Sequence, residues 1–230
     1  VNRLFAVIPA AGFSRRMGQP KLLLPWGGST VIEHLLAALS HPRIIARCVV
    51  CRRDDVELAR VVDRAGGQVI QPAVDPPEMK DSVLAALGEI ERLWHPAPDE
   101  GWVLCPGDQP LIPPGILQPL VAAWDAGTAE VLIPRHGGHK GHPVLFRWQL
   151  YGEIRTLGAD EGLNALVRHP SRKIEFVDLD VPGILVDLDT PEDYARWRSG
   201  EAGAELGAVE AVGPQGGTAV PISGGNPGGP

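Results

Sequence analysis

Residues 4–28 read LFAVIPAAGFSRRMGQPKLLLPWGG. An unbroken apolar run, LFAVIP (4–9), has the length and composition of a strand buried on both faces. The next helical pattern, TVIEHLLAALS (30–40), starts only after a connection of about twenty residues, long for a βα loop and characteristic of a working one. Ligands of parallel sheets collect beyond the carboxyl ends of the strands, where this loop begins. Its small residues Ala10, Ala11 and Gly12 let backbone N–H groups approach an anion, Ser14 adds a hydroxyl, and Arg15, Arg16 and Lys21 add positive charge. These are the parts of a polyphosphate cradle, and equally those of a surface turn with basic residues. Neither G-x-x-x-x-G-K-[ST] nor G-x-G-x-x-G is present.

Outward from that loop, apolar β-branched runs alternate with helical patterns. Strands are expected at 4–9, 44–50, 67–71, 102–106, 130–134, 142–146, 173–179 and 184–188. The segments TVIEHLLAALS, DVELARVVDRAG, KDSVLAALGEIERLW, GILQPLVAAWDAG and DEGLNALVRH carry apolar residues at helical spacing. The alternation predicts an α/β fold: a mostly parallel, Rossmann-like sheet with helices on both faces and a small glycine-rich β-hairpin insertion at RHGGHKGH. Residues 1–198 are expected to form one domain. From 199 to 230 glycine and proline crowd a stretch with no sustained apolar period, which is expected to be a disordered tail.

The chain carries a formal charge of -7, which argues against a general nucleic-acid or anionic-membrane binder, and no run is long and apolar enough to span a bilayer. Yet Arg3, Arg15, Arg16 and Lys21 all precede the first acid, Glu33, so positive charge is concentrated at the N-terminus. An odd number of cysteines without a secretory segment points to a reducing, cytoplasmic setting. Cys48 and Cys51 have C-x-x-C spacing but lie on a predicted strand, where an odd offset sends them to opposite faces. That makes them core residues rather than a metal or redox pair.

Further constellations carry oxygen and nitrogen ligands. Asp108 follows the predicted strand WVLCP in GDQP, at the same sheet edge as the loop, and a hard carboxylate there suits Mg²⁺. In VDLDVPGILVDLDTPEDY, Thr190, Pro191 and Asp193 read as N-cap, first helical residue and capping-box acid. Asp187, at the end of the predicted strand ILVDL, is the expected second metal ligand, with Asp189 next. His136, His139 and His142 are evenly spaced on the hairpin, which does not hold three imidazoles about one ion. Met79 and Ser82 stand at a helix start, where a methionine fills core and a serine caps.

The pattern A-A-G-x-S-x-R-M-G-x-x-K followed by L-L-P-x-G-G resembles the signature of the nucleotidyltransferase family that contains the molybdenum cofactor cytidylyltransferases and guanylyltransferases. PPEMKDSVLAAL (76–87), CPGDQPLI (105–112), KGHPVLF (140–146) and VDLDTPEDY (186–194) resemble its later blocks, so the likeness covers residues 4–198. It implies transfer of NMP from an NTP to a phosphorylated pterin, with Mg²⁺ on Asp108 and release of pyrophosphate. In that scheme Arg16 and Lys21 neutralise the leaving group, Ala10, Ala11, Gly12, Ser14, Arg15, Arg16 and Lys21 with Met79 and Ser82 hold the nucleotide, and Lys140 and His142 meet the acceptor. A molybdoenzyme or its maturation factor is an implied partner. Relatives using CTP tend to read x-A-A-G where those using GTP read L-A-G-G, so Ala10 and Ala11 imply CTP. Two positions depart from the pattern, with Asp75 in place of Asn and Glu78 in place of Gly. A nucleotide-sugar glycosyltransferase, a sugar-phosphate nucleotidyltransferase and a cofactor-carrying chaperone are the alternatives.

Overall fold

The computed structural model describes residues 2–158 and 160–198; the tail expected at 199–230 lies outside them. In chain order the elements are β1 (Leu4–Pro9), β2 (Pro25–Trp26), β3 (Ser29–Thr30), α1 (Val31–Ala38), β4 (Ile44–Val50), α2 (Val56–Arg64), β5 (Gln68–Ile70), α3 (Met79–Trp94), β6 (Gly101–Leu104), α4 (Leu117–Ala126), β7 (Val131–His136), β8 (His139–Lys140), β9 (Val144–Arg147), α5 (Tyr151–Ile154), α6 (Asn164–Arg168), β10 (Ile174–Asp178) and α7 (Pro191–Arg198). The main sheet runs β10-β7-β9-β6-β1-β4-β5, with β8 hydrogen-bonded to β7. Around β1 all pairings are parallel, and β9 is antiparallel to both its neighbours.

β1 is central because both its faces are apolar. Leu4, Ala6 and Ile8 pack with α1, α2 and α4, while Phe5 and Val7 pack with α3, α5 and α6. Cys48 and Cys51 fall into these two separate layers, as an odd offset requires. The chain passes from β1 outward through β4 to β5, then returns to lay β6 on the other side of β1. Beyond the carboxyl ends of β1 and β6 the strand order therefore reverses, which opens a crevice there.

Side-chain caps start several of the helices, and the one read at Thr190 and Asp193 forms. Glu33 closes a capping box on Thr30 at α1, and Asp193 does the same on Thr190 at α7. At α3 the cap is Glu78, whose N–H donates to Asp81 at 3.2 Å, while Ser82 lies buried inside the first turn and caps nothing. The glycine hairpin forms with Gly137 and Gly138 at φ +56° and +82°, left-handed backbone that closes β7 onto β8.

One expected strand is absent. ILVDL does not extend: Pro182–Leu185 is a 3₁₀ turn, and 186–190 continues as an irregular strap. Proline starts the turn, and the next residue must be glycine because a Cβ at Gly183 would sit 2.2 Å from the Leu111 carbonyl oxygen. Ile184 and Leu188 are fully buried, so the apolar run reflects a strap packed on the sheet edge rather than a ladder. The hairpin β2–β3 and the short α5 were not expected from the sequence.

Candidate functional site

The loop after β1 turns its backbone outward. Ala10 N–H donates to Val50 at 3.0 Å, the last link to the sheet. From Ala11 to Arg16, among the described residues, no protein acceptor takes any of the N–H groups. Ser14 reverses the chain at φ +50°, unusual for a residue with a Cβ. Its carbonyl accepts from Met17 and Gly18 at 3.1 and 3.0 Å, and its Oγ accepts from Lys21 N–H at 3.3 Å. Met17, almost fully buried, anchors the far end. Successive unpaired N–H groups around a left-handed residue make an anion-binding concavity.

Asp108 arrives at this loop because Gly107 N–H donates to the Pro9 carbonyl at 3.0 Å. Asp189 arrives because Leu188 N–H, on the strap, donates to the Asp108 carbonyl at 2.8 Å. Between the two carboxylates stands Lys21, whose Nζ lies 2.7 Å from Asp108 Oδ2 and 3.2 Å from Asp189 Oδ1. Arg16 reaches the other oxygen of Asp189 at 3.0 Å from a largely exposed position. A cavity of about 420 Å³ opens here, lined by residues 9–16 on one side, 75–79 with Ser82 on the other, and by Lys21, Asp108 and Asp189. Met79 is about half exposed in it and Ser82 is buried at its wall.

The remaining candidates sit apart from this cavity. Asp187 does not end a strand; its Oδ1 accepts from the buried Gln109 Nε2 at 2.8 Å. His142 holds the Leu104 carbonyl through Nδ1 at 3.3 Å, and burial lowers its pKa, opposed by that bond and by Asp187 and Asp108. Lys140 is exposed on the hairpin with its ammonium 5.5 Å from the Phe176 ring centre and does not line the cavity. His136 bonds the Leu179 carbonyl, and His139 faces solvent. A larger open cleft of about 790 Å³ lies among Asn2, Glu130, Arg147 and Arg172, but its two arginines are committed, Arg147 to the Ala129 and Asp99 carbonyls and Arg172 to Glu130 and Glu153.

Among the described residues no three His, Cys, Asp or Glu side chains group to hold a metal ion. Asp108 and Asp189, both within hydrogen-bond reach of one ammonium, do fit Mg²⁺, which takes one or two carboxylates and completes its shell with substrate phosphates and waters. Residues outside the sequence-predicted site also line the cavity or support it: Phe13, behind the loop Arg52, and Asp75 and Glu78, which the sequence marked only as departures from the family pattern. Arg52 closely follows the end of β4, the neighbour of β1 at the same sheet edge, but no spacing in the sequence connects it to the loop.

A model of the MobA-like NTP transferase domain matches residues 6–174. The chain belongs to this family of nucleotidyltransferases. The MobA-like chain is 26% identical over 196 residues to the molybdenum cofactor cytidylyltransferase of Escherichia coli K12, covering 84% of this chain and 95% of that protein. It is 33% identical over 138 residues to the 2-C-methyl-D-erythritol 4-phosphate cytidylyltransferase of Syntrophotalea carbinolica, a match spanning 57% of this chain and 58% of the relative. Among solved structures, Rv0371c of Mycobacterium tuberculosis H37Rv superposes with a TM-score of 0.69 at 28% identity, covering 86% of this chain and 98% of that one. Rv0371c has also been solved in complex with manganese, and that structure superposes with a TM-score of 0.67 at 25% identity, over 86% of this chain and 98% of that one. No helix among the described residues is long and apolar enough to cross a membrane.

Proposed function

We propose that this transferase moves CMP from CTP to the phosphate of a pterin acceptor of the molybdenum cofactor type and releases pyrophosphate. The observation that carries the reading is the single cavity in which the unpaired N–H groups of residues 11–16, Arg16 and Lys21 face Asp108 and Asp189.

In this scheme the loop N–H groups and Ser14 receive the phosphate oxygens, and Arg15 and Arg16 screen their charge. An acceptor phosphate oxygen attacks the α-phosphorus, the bond from that phosphorus to the bridging oxygen breaks, and pyrophosphate leaves with the bond electrons. The acceptor is already ionised near neutral pH, so no protein base is required. Lys21 leaves its two carboxylates for the pyrophosphate as negative charge builds there. Asp108 and Asp189 would hold Mg²⁺, which when bound supplies charge neutralisation of the triphosphate and the acceptor phosphate. His142, whose pKa burial lowers, is assigned to the acceptor, and Asp187 orients Gln109. Lys140 has no part in this scheme.

Ala11 makes the base assignment testable. It is almost fully buried at the cavity wall, and its Cβ occupies space that glycine would leave to a purine. Purified protein with Mg²⁺, each NTP in turn, and pterin phosphate or methylerythritol phosphate as acceptor should release pyrophosphate fastest with CTP and the pterin. Ala11→Gly should narrow the CTP-to-GTP ratio by about tenfold, the weight of one small contact. Equal use of GTP by the wild type would overturn the cytidylyl assignment, and no pyrophosphate with the pterin would overturn the acceptor.

A further inference from the structure

The two walls of the nucleotide cavity hang from one turn. Just past β4, the Arg52 guanidinium donates to the Gly12 carbonyl at 2.9 Å and the Ala11 carbonyl at 3.4 Å, and its carbon lies 4.5 Å from the Phe13 ring centre. Behind it, Asp54 and Asp55 hold the same guanidinium at 3.1 and 3.5 Å, and the side chain is only 14% exposed. On the other side, Gln71 Nε2 donates to the Arg52 carbonyl at 2.9 Å and Arg53 N–H donates to Asp75 Oδ1 at 3.3 Å. Arg53 Nη1 also donates to the Ala73 carbonyl at 3.3 Å. The segment that carries Asp75 to Met79 is thereby tied to the residue pair that grips the phosphate loop.

We infer that Arg52 is a positioning residue that orients the phosphate loop and, through the turn it shares with Arg53, sets the spacing of the two cavity walls and with it the choice of base. The inference rests on the reading of this cavity as a nucleotide site. In a planar trans peptide the carbonyl of one residue and the N–H of the next point in opposite directions. Holding the Ala11 and Gly12 carbonyls back therefore turns the N–H groups of Gly12 and Phe13 the other way, and both residues line the cavity. Only a planar fork with several donors serves two adjacent carbonyls, two carboxylates and a ring face together, so lysine is no substitute.

Two methionines report on the two walls: the chain has only Met17, at the foot of the loop, and Met79, on the opposite wall. Methyl-labelled methionine NMR of the free protein should show both signals moved or broadened in Arg52→Ala and in Arg52→Lys. Asp75→Ala should move the Met79 signal, while Asp75→Asn, which keeps an acceptor oxygen for Arg53 N–H, should restore it. In competition assays Arg52→Ala should raise KM for CTP by about tenfold, leave kcat within about twofold, and lower the CTP preference several-fold. Unmoved methionine signals in Arg52→Ala, or a wild-type KM and base ratio, would overturn the inference. A wild type that releases no pyrophosphate from any NTP would instead sink the transfer reading, and the methionine signals alone would then decide the clamp.

Discussion

Replacing Lys21 by methionine should push metal affinity and turnover in opposite directions. The Lys21 ammonium pairs with both Asp108 and Asp189, at 2.7 and 3.2 Å. Its side chain is 14% exposed, and those of the two acids 24% and 32%. The cluster thus lies between exposed pairs, worth about 0–1 kcal/mol, and fully buried ones, whose disruption costs about 3–5 kcal/mol. About 2 kcal/mol is the expected loss in Lys21→Met, which for a domain of this size lowers Tm by about 4–8 °C. The same change frees two carboxylates for a divalent ion, so Mn²⁺ affinity without nucleotide should rise by about tenfold, within what 2 kcal/mol of lost competition allows. Turnover should fall by on the order of a hundredfold or more, because the leaving pyrophosphate loses its counter-charge. Electron paramagnetic resonance of free Mn²⁺ titrated with each protein measures the affinity, and added Mn²⁺ should restore more Tm in the variant than in the wild type. Unchanged or weaker Mn²⁺ binding by a folded Lys21→Met protein would refute the picture of lysine and metal sharing one place.

Other outcomes follow from the same structure. Asp108→Ala should fold normally and lose on the order of a hundredfold or more in pyrophosphate release; near-normal release would remove Asp108 from the metal site. Burial pushes the Cys48 and Cys51 thiols up to about 12 and holds Cys105 well above its ordinary value. Thiolate is the reactive form, so a thiol reagent at pH 8 should label no cysteine until the protein is unfolded. Burial lowers the pKa of His34, His41 and His142 below the free value of 6.5. The unfolded chain therefore takes up protons first as pH falls through about 6.5, and stability present above that pH is lost below it. Tm should decline from pH 7 to pH 5, less steeply in His34→Gln; a flat or rising profile would contradict the burial of these rings.

The parts of the fold that follow from a repeating period were readable in advance, and the parts that follow from where a chain bends were not. LFAVIP had to be buried on both faces, and the helical patterns between the apolar runs implied a parallel sheet, with the cap of the last helix readable at Thr190 and Asp193. The phosphate loop was legible from composition, because small residues and cations followed a strand end. Arg52 was not, since its carbonyl partners on Ala11 and Gly12 are some forty residues back and no spacing rule connects them.

The strap shows why the acids that share Lys21 were harder to assign than the loop. In an extended strand, residues two apart share a face, so D-x-D at 187 and 189 would have presented both carboxylates together. Proline at 182 and the forced glycine at 183 bend the chain into a 3₁₀ turn instead, and Leu188 then pins the strap by bonding the Asp108 carbonyl. With the ladder gone the two acids take different partners, Asp187 the buried amide of Gln109 and Asp189 the cations Lys21 and Arg16. Asp189 rather than Asp187 is thereby the acid that shares a cation with Asp108, and the choice was made by a steric clash at Gly183, which the spacing of the aspartates does not contain.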